Sequence, residues 1–351
     1  MIEKIIDLLQ CEDNEKNNIL FEKAAKIKTE NVKNKTYLRG LIEYSNICQK
    51  NCFYCGLRNE NNINRYCLTD DEVVNAAVFA HKNRFASVVI QSGEIKSNSH
   101  TKKITKLLDK INENTNGELG ITLSLGEQNK NTLKEWKDIG NASRYLLRVE
   151  TSNQELYEII HPADKFHSFY ERLKTLNILK ELDYQVGTGT MIGLPFQKVE
   201  DLASDLIFFK ENDIDMIGMG PYIGHEHTPL FIKYKNILLP LEKRFELTLK
   251  MIAISRIMMP TINIASTTAM QTINPQGKKE ALKSGANIIM PNISPQKYRT
   301  DYMLYKNKVD IEISKEKYTD NLFDFIKCAG DIVGFGEQGN SLHFYKKRLN
   351  E

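Results

Sequence analysis

The sequence predicts an α/β fold, a (β/α)8 TIM barrel with an N-terminal helical extension and a C-terminal tail. Two observations support this fold. Short apolar runs alternate with segments of helical period from residue 37 almost to residue 295, and such runs are typical of parallel strands buried on both faces. The helical segments are long enough to keep the strands parallel, and barrels of this class take roughly 250 residues.

The predicted elements are eight strands with seven helices between them, the pattern of a (β/α)8 barrel. Residues 1–10 fit an amphipathic helix and not a signal peptide. Thr69 is a predicted cap of the first barrel helix. The predicted strands span residues 38–47, 87–91, 119–125, 145–149, 184–191, 215–219, 261–265 and 287–290. The predicted helices span residues 70–82, 101–114, 130–139, 166–182, 199–212, 241–259 and 274–284. We expect an extension at 1–36, the barrel at 37–295 and a tail at 296–351.

The composition excludes several classes of protein. The 351 residues include 48 basic and 45 acidic side chains, for a net charge of +3. Because the two signs are interspersed, no nucleic-acid surface is predicted. No apolar run approaches the length of a membrane span. Six cysteines, three of them within eight residues, indicate a reducing compartment and metal ligation, so we expect a cytoplasmic protein.

The most informative segment is a loop with three cysteines that follows the first predicted strand. Cys48, Cys52 and Cys55 have the spacing C-x3-C-x2-C, and no fourth cysteine is close. A cubane iron–sulfur cluster needs four ligands, which Cys thiolates normally supply. Three thiolates therefore predict a [4Fe–4S] cluster with one iron open to another ligand.

A structural zinc site is the alternative for the same loop. Such a site needs a closed set of four nitrogen or sulfur ligands. Cys67 is the only plausible fourth ligand, but it lies twelve residues after Cys55 and has no partner in a C-x2-C motif.

Polar residues and glycines follow nearly all of the predicted strands. Chemistry in such barrels lies at the carboxyl ends of the strands, although a lone hydroxyl or glycine there usually belongs to a turn. The repetition predicts a polar pocket that faces the cysteine loop. The segments concerned are 91–94, 122–127, 148–151, 187–195, 218–222, 266–270 and 290–292.

These segments carry a family resemblance. The cysteine loop, with Tyr54 just before its last cysteine, resembles the signature of radical S-adenosylmethionine (SAM) enzymes, in which SAM chelates the open iron. Within that superfamily, roughly residues 35 to 300 resemble the HydE family, the radical SAM maturases of [FeFe]-hydrogenase. The motifs that carry the resemblance are 55–58 (CGLR), 91–94 (QSGE), 123–127 (LSLGE), 145–151 (YLLRVET), 191–195 (MIGLP), 267–270 (TTAM) and 285–292 (GANIIMPN).

The resemblance implies a set of SAM-binding residues. The backbone of Ser92, Gly93 and Glu94 would meet the SAM amino group. Glu150 would accept hydrogen bonds from the ribose hydroxyls, and the planar guanidinium of Arg172 would bind the SAM carboxylate. The alternative for Glu150 and Arg172 is a surface ion pair.

The resemblance also implies an adenine site. Tyr54 and the segment from Met191 to Pro195 would flank the base, with Met191 and Leu194 in contact with it. Apolar residues at these positions also pack a barrel, so packing is the alternative for Met191 and Leu194.

The substrate pocket follows from the same resemblance. An arginine that projects from a barrel strand is a costly buried charge unless an anion meets it, so Arg148 predicts a small anionic or carboxylate-bearing substrate. Arg148 and Glu150 lie two residues apart and should share one face of the strand. The residues implied to line the pocket are Ser92, Thr122, Arg148, Thr267, Thr268 and Met270.

Four other residues have no assigned role. His225 and His227 are spaced as possible ligands at i, i+2, and the alternative is a pair of loop histidines over the barrel mouth. Some relatives carry a cysteine triplet in the tail for an accessory cluster, whereas residues 311–332 hold only Cys328. We therefore expect no accessory cluster and interpret Cys328 as a buried core thiol. Cys11 has no partner in sequence.

The resemblance implies a radical SAM enzyme. A reduced cluster would donate one electron to SAM and produce a 5′-deoxyadenosyl radical, with no catalytic side chain assigned beyond the cluster and SAM. The implied substrate is a cysteine-bound iron carbonyl–cyanide complex on the way to the dithiolate-bridged diiron site. The implied partners are an electron donor such as ferredoxin or flavodoxin and other hydrogenase maturases.

Two other functions remain open. A methylornithine-synthase-like mutase, or another small-molecule radical SAM enzyme, would also use a barrel arginine to hold a carboxylate. A non-catalytic iron–sulfur carrier would have no use for a nucleoside pocket, so Glu150 and Arg172 favour an enzyme.

Overall fold

A computed structural model describes residues 1–308 and 318–348 of the chain. The strands are β1 (Lys35–Leu38), β2 (Gly40–Ser45), β3 (Ser87–Ser92), β4 (Gly120–Ser124), β5 (Ala142–Leu146), β6 (Gln185–Thr188), β7 (Met191–Ile192), β8 (Met216–Ile217), β9 (Gly220–Pro221), β10 (Asn263–Ser266), β11 (Ile288–Ile289) and β12 (Ile332–Val333). The first helices are α1 (Ile2–Gln10), α2 (Asn14–Val32), α3 (Asp70–Lys82), α4 (Asn98–Asn114), α5 (Lys130–Asp138), α6 (Gln154–Ile160), α7 (Phe169–Glu181) and α8 (Val199–Glu211). The later helices are α9 (Pro229–Tyr234), the 3-10 helix Lys235–Ile237, α10 (Leu241–Met258), α11 (Thr268–Ile273), α12 (Gly277–Lys283), α13 (Gln296–Arg299), α14 (Tyr318–Cys328) and α15 (Leu342–Arg348).

The main sheet closes into a barrel of parallel strands. Its order is β12, β1, β11, β10, β8, β6, β5, β4, β3, β2, and β1 and β2 are one run of chain interrupted only at Arg39. On one side this run pairs with β3 and on the other with β11. The second ladder continues past Arg39, because Leu41 and Asn292 form a parallel bridge. The predicted (β/α)8 barrel is confirmed.

Several boundaries differ from the prediction. The strand predicted at 145–149 is β5, which ends at Leu146. The chain stays extended beyond it, but the Val149 N–H donates to the Thr188 hydroxyl at 3.2 Å and not to a backbone carbonyl. The helix predicted at 166–182 is α7, and the short helix α6 before it was not predicted. The predicted boundary between the N-terminal extension and the barrel, at residue 36, falls within β1. The division of the chain into extension, barrel and tail stays a prediction.

Helices surround the barrel and fix its loops. Helix α3 is preceded by its N-cap Thr69, which forms a capping box: the Thr69 hydroxyl accepts a hydrogen bond from the Glu72 N–H, and the Glu72 carboxylate accepts one from the Thr69 N–H. The N-terminal helices α1 and α2 pack on α8 and α10. Within the described residues, every helix is too short or too polar to cross a membrane.

The tail forms part of the barrel at both ends. At the amino end, the Arg39 guanidinium donates to the Gly339 carbonyl at 3.0 Å. Arg144 donates to the Thr122 hydroxyl at 2.9 Å and also hydrogen-bonds Asn340. Residues 339–341 therefore close the amino end of the barrel.

At the carboxyl end, residues 301–308 cross the mouth of the barrel. The Gly56 N–H donates to the Leu304 carbonyl at 2.9 Å, which ties this segment to the cysteine loop. The Lys308 ammonium forms an ion pair with the buried Glu43 of β2. The mouth is therefore partly covered by the tail.

Candidate active site

The three cysteines lie in a tight loop after β2, and backbone amides point at two of their sulfurs. The Lys50 and Glu94 N–H groups donate to the Cys48 Sγ at 3.4 and 3.3 Å. The Leu57 N–H donates to the Cys55 Sγ at 3.4 Å. Hydrogen bonds to sulfur stabilise the anionic form of an iron–sulfur site and adjust its potential.

Burial makes the three thiols poor acids in the absence of a metal. It raises the pKa of Cys52 to about 12 and raises the pKa values of Cys48 and Cys55. Cys48 also raises the pKa values of Cys52 and Cys55, and Cys52 raises that of Cys55, because a second negative charge nearby is unfavourable. Since iron ligation requires thiolates, the positive charge of a cluster offsets this cost, and the loop fits that group.

The zinc alternative lacks support in the described residues. Among them, no three His, Cys, Asp or Glu side chains converge as they would around a single metal ion. Cys67 is engaged elsewhere, since its Sγ lies 3.4 Å from the Lys103 ammonium on α4. A cubane binds each cysteine to a different iron, so its ligands need not converge on one point.

Gly93 lets the end of β3 approach the cysteine loop. A Cβ at this position would lie 2.3 Å from the Ile47 carbonyl oxygen and 2.8 Å from the Cys48 Cβ. The Gln49 N–H donates to the Glu94 carbonyl at 2.9 Å. The segment implied to meet the SAM amino group is therefore in contact with the first cysteine.

Two buried cations and two partly exposed carboxylates form a charged network beside the loop. The Arg172 Nη1 lies 3.0 Å from Glu94 Oε1, and its Nε lies 2.9 Å from Glu127 Oε1. The Lys50 ammonium lies 2.8 Å from Glu127 Oε1 and 3.3 Å from Glu94 Oε2. Burial opposes the ionisation of Glu94, but Arg172 and Lys50 outweigh it and lower the Glu94 pKa to about 2.

Sequence reasoning missed two members of this network. It assigned Arg172 and Glu94, which the structure brings together, but gave no role to the side chains of Lys50 and Glu127. Lys50 lies between two cysteines of the loop, and Glu127 ends a motif after the third barrel strand. These positions, so close to other predicted site residues, could have indicated a role for both side chains.

Arg148 already has a carboxylate partner within the chain. Its Nε and Nη2 lie 3.1 and 2.9 Å from Glu150 Oε2, and Nη2 also donates to the Thr190 carbonyl at 3.0 Å. Burial of Arg148 therefore does not by itself require an anion from the substrate, because Glu150 supplies one, and the anionic substrate stays a prediction. The Arg148 side chain remains 31% exposed, so it is only partly enclosed.

Glu150 has an unusual backbone conformation. Its φ is +68°, in the left-handed region that few residues other than glycine adopt. Its N–H donates to the Gly189 carbonyl at 3.0 Å, and its carbonyl accepts the Met191 N–H at 2.9 Å. Burial raises the pKa of Glu150, and Arg148 opposes that shift.

A buried carboxyl holds the segment after Glu150. Asp205 on α8 accepts hydrogen bonds at Oδ1 from the Ser152 N–H and hydroxyl, both at 2.6 Å. Burial raises the pKa of Asp205 to about 7. Nothing in the sequence indicated a role for this residue, because an Asp is usually exposed.

The predicted adenine residues come together in an apolar cluster. Leu194 is buried there with Leu230, and Tyr54 and Met191 pack against them with partial exposure. The Tyr54 hydroxyl lies 3.4 Å from the His161 Nε2. Tyr54 and Met191 can face a ligand, whereas the burial of Leu194 fits the packing alternative.

The predicted substrate residues do not all face one pocket. Met270 is fully buried in the main apolar core, so its assignment to the pocket is wrong. The Thr122 hydroxyl accepts the Arg144 guanidinium and is directed to the closed end of the barrel. The Ser92 hydroxyl donates to the Gly93 carbonyl at 2.7 Å.

Two threonines remain near the mouth. Thr267 precedes α11, and its hydroxyl donates to the Met219 carbonyl at 3.0 Å. Thr268 is the first residue of α11, and both threonines are partly exposed. Of the predicted set, Arg148, Thr267 and Thr268 keep exposed surface near the carboxyl end.

The histidines and the remaining cysteines are also placed. His225 and His227 lie in a loop, and the His227 N–H donates to the His225 Nδ1 at 3.2 Å. The His225 ring packs on Gly56, where a Cβ would lie 2.8 Å from its Cδ2. Cys328 is exposed, so its interpretation as a buried core thiol is wrong. All six cysteines are free thiols.

Comparisons with known proteins agree with this geometry. A profile of the radical SAM superfamily matches residues 42–209. The [FeFe] hydrogenase maturase subunit HydE of Thermotoga maritima is 42% identical over 308 residues, which is 88% of this chain and 84% of that protein. A 3-methylornithine synthase of Methanosarcina acetivorans is 28% identical over 80% of this chain and 76% of its own length.

Solved structures share the fold. The crystal structure of methylornithine synthase (PylB) has a TM-score of 0.81 at 23% identity and covers 96% of this chain and 94% of its own. The crystal structure of HydG, a maturase of the [FeFe]-hydrogenase, has a TM-score of 0.76 at 19% identity, with 95% of this chain and 74% of its own covered. At these identities the likeness establishes the barrel fold alone.

Proposed function

Because the chain belongs to the radical SAM superfamily and, within it, to the HydE family of [FeFe]-hydrogenase maturases, we propose which of its residues bind cofactor and substrate. The protein is a radical SAM enzyme of hydrogenase maturation, and its cofactors are a [4Fe–4S] cluster and SAM. One contact carries the assignment. The Glu94 N–H points at the Cys48 Sγ at 3.3 Å, so the segment implied for SAM adjoins the proposed cluster ligand.

Cys48, Cys52 and Cys55 hold the cluster. When bound, the reduced cluster and SAM supply a 5′-deoxyadenosyl radical. The amides of Lys50, Glu94 and Leu57 stabilise the thiolates by donating to sulfur.

The charged network beside the loop orients SAM. Arg172 is buried between Glu94 and Glu127, so its guanidinium is fixed before a ligand arrives. A fixed guanidinium loses little entropy when it binds a carboxylate. Ser92 and Gly93 supply the backbone for the SAM amino group, and Tyr54 and Met191 border the adenine.

Glu150 receives the ribose hydroxyls. A partly exposed carboxylate that already accepts from Arg148 can accept further hydrogen bonds, since it has about four lone-pair sites. When ribose hydroxyls occupy Glu150, the Arg148 guanidinium is less fully paired and can turn to a second anion.

The substrate is a small anionic or carboxylate-bearing compound that meets Arg148, Thr267 and Thr268. We infer that this compound is a cysteine-bound iron carbonyl–cyanide complex, converted on the way to the diiron centre with its dithiolate bridge. The other partners are an electron donor such as ferredoxin or flavodoxin and the other maturases, in the cytoplasm. The six free thiols favour that reducing compartment.

One observation favours a second candidate. A 3-methylornithine synthase is 28% identical to this chain over 80% of its length, and a barrel arginine also suits the carboxylate of an amino acid. A methylornithine-synthase-like mutase is therefore the alternative function.

The test uses anaerobically reconstituted protein and two assays. Dithionite-reduced protein should convert SAM to 5′-deoxyadenosine and methionine. Added to hydrogenase apoprotein with the other maturases, it should restore hydrogenase activity. SAM cleavage without activation, accompanied by methylornithine formation, would instead establish the mutase.

A further inference from the structure

An exposed apolar surface with two lysines lies next to the cysteine loop. We call it the α9 surface, and it comprises Phe196, Ile232, Lys233, Lys235, Ile237 and Leu239. Ile232 is 62% exposed, Ile237 54% and Phe196 50%. Single exposed apolar residues are ordinary, but a contiguous group of them marks an interaction site.

These residues form one patch. The Phe196 ring packs edge-on against the Tyr234 ring, with centroids 4.8 Å apart. The Lys233 ammonium lies 5.0 Å from the centroid of the same ring. Tyr234 therefore joins Phe196 to the α9 segment.

The α9 surface is attached directly to the cysteine loop. The Leu230 N–H, in the first turn of α9, donates to the carbonyl of Phe53 at 3.0 Å. Phe53 follows Cys52, and it packs with Leu230 in the apolar cluster that also contains Leu194. Ile232 lies two residues further, about 200° around the helix axis, and therefore on the outer face opposite Leu230. A protein bound here would be separated from Cys52 by Phe53 and by the thickness of α9, about 10–12 Å with its side chains.

The charge of the surface is positive. Residues 228–241 contain Lys233 and Lys235 and no acidic residue. Both lysines are exposed, and neither has an ion pair with any described residue. The acidic residues that flank the segment are Glu226, which pairs with Lys306 at 3.0 Å, and the exposed Glu242. The segment therefore offers two unneutralised positive charges among apolar side chains.

We propose that the α9 surface is the docking site of the acidic one-electron donor protein that reduces the cluster. This inference rests on the proposed cluster at Cys48, Cys52 and Cys55. One electron leaves the donor and enters the cluster, and no bond forms or breaks at the surface.

Charge and size select this partner over a second copy of the chain. Complementary charge accelerates encounter, and electron-transfer complexes use small interfaces, typically below about 1,200 Å². A patch of six residues suits such a brief contact. Two copies joined symmetrically here would bring their lysines together, which is unfavourable.

The test compares two charge-reversal variants of the reconstituted holoenzyme. The first is Lys233→Glu with Lys235→Glu. The matched control is Lys102→Glu with Lys106→Glu, two exposed lysines on α4. Both variants change the net charge equally. The measurement is the stopped-flow rate at which the cluster absorbance bleaches, with reduced flavodoxin or with dithionite as the donor.

We expect the first variant to be reduced by flavodoxin at least about tenfold more slowly at low salt, with much of the salt dependence lost. Its reduction by dithionite and its dithionite-driven SAM cleavage should be unchanged, and the control should match the wild type. Equal flavodoxin rates in the two variants would overturn the proposal while leaving the proposed function intact. Loss of dithionite reduction in the wild type would instead refute the cluster assignment.

A second variant tests the apolar part without changing charge. Ile232→Ser with Ile237→Ser should weaken flavodoxin binding, measured by titration at equilibrium, and leave thermal unfolding nearly unchanged because both side chains are exposed. If sedimentation instead shows a wild-type dimer that this variant dissociates, the surface joins two copies and the docking proposal is wrong.

Discussion

The guanidinium of Arg148 and the carboxylate of Glu150 form an ion pair at the mouth of the barrel, with Nη2 2.9 Å from Oε2. The two residues are proposed to serve different ligands, the substrate and the SAM ribose. Because they pair, a ligand that binds one of these residues weakens its contact with the other. The two sites are therefore interdependent. SAM binding should therefore precede and favour binding of an anionic substrate.

Glu150→Gln should weaken SAM binding. The amide keeps the shape but loses the charge, and a hydrogen bond to a charged group contributes about 1.5–3 kcal/mol. Equilibrium dialysis with SAM measures the change. Glu158→Gln on α6, an exposed position, is the control. An unchanged SAM affinity in Glu150→Gln would show that another residue contacts the ribose.

Arg148→Met should retain the cluster and basal SAM cleavage but lose hydrogenase activation. The methionine side chain fills part of the space of the arginine, but its thioether cannot bind an anion. Activation in a reconstituted maturation assay and 5′-deoxyadenosine release are measured on one preparation. Normal activation with impaired SAM cleavage would show that Arg148 serves the cofactor.

Replacement of Cys48, Cys52 and Cys55 together by Ala should remove the cluster, which in the wild type should contain about four irons and four sulfides. Iron and sulfide analysis after anaerobic reconstitution measures the cluster content of each variant. Cys67→Ala, the control, should keep the full content. If the triple variant kept its cluster, Cys11, Cys67 or Cys328 would have to be a ligand.

Asp205→Asn should change how stability depends on pH. Burial raises the pKa of Asp205 to about 7, above the value of about 3.9 in an unfolded chain. Between these values the native state binds the extra proton. The contribution of Asp205 to stability is therefore complete below pH ~4 and is lost as the pH rises through about 7, by at most about 1.4 kcal/mol per pH unit.

Urea unfolding of the wild type and of Asp205→Asn between pH 4 and 8 measures this difference. The Asn oxygen can still accept both Ser152 hydrogen bonds, so the variant should fold. A constant difference in unfolding free energy across this range would mean that Asp205 stays ionised in the native state.

Patterns local in sequence predicted the barrel and the cysteine loop. Alternating strands and helices need only the order of apolar residues, and three closely spaced thiols lie in one loop wherever the chain goes. The Arg148–Glu150 pair could not be predicted in the same way. Their spacing places both side chains on one face, but Glu150 also has a left-handed backbone, and a glutamate gives no sign of that conformation.

The errors at Met270 and Cys328 have a common cause. Met270 was assigned from the family resemblance and Cys328 from its apolar neighbours in sequence, and neither assignment considered the face of the helix on which the residue lies. In α14 and the turn after it, Ile326 and Ala329 are buried three residues apart, which leaves Cys328 on the outer side. Met270 lies on the inward face of α11, beside Ala269.

The hydrogen bond from Arg39 to Gly339 joins the first barrel strand to a segment 300 residues later. Ribosomes add about 5–20 residues per second, so at least about 15 s separate the synthesis of the two partners. During that interval the nascent barrel has no closed end, and Arg39 and Arg144 lack their tail acceptors. The interior can reach its native arrangement only after residues 339–341 have left the ribosome, so a ribosome stalled before them would hold an open barrel.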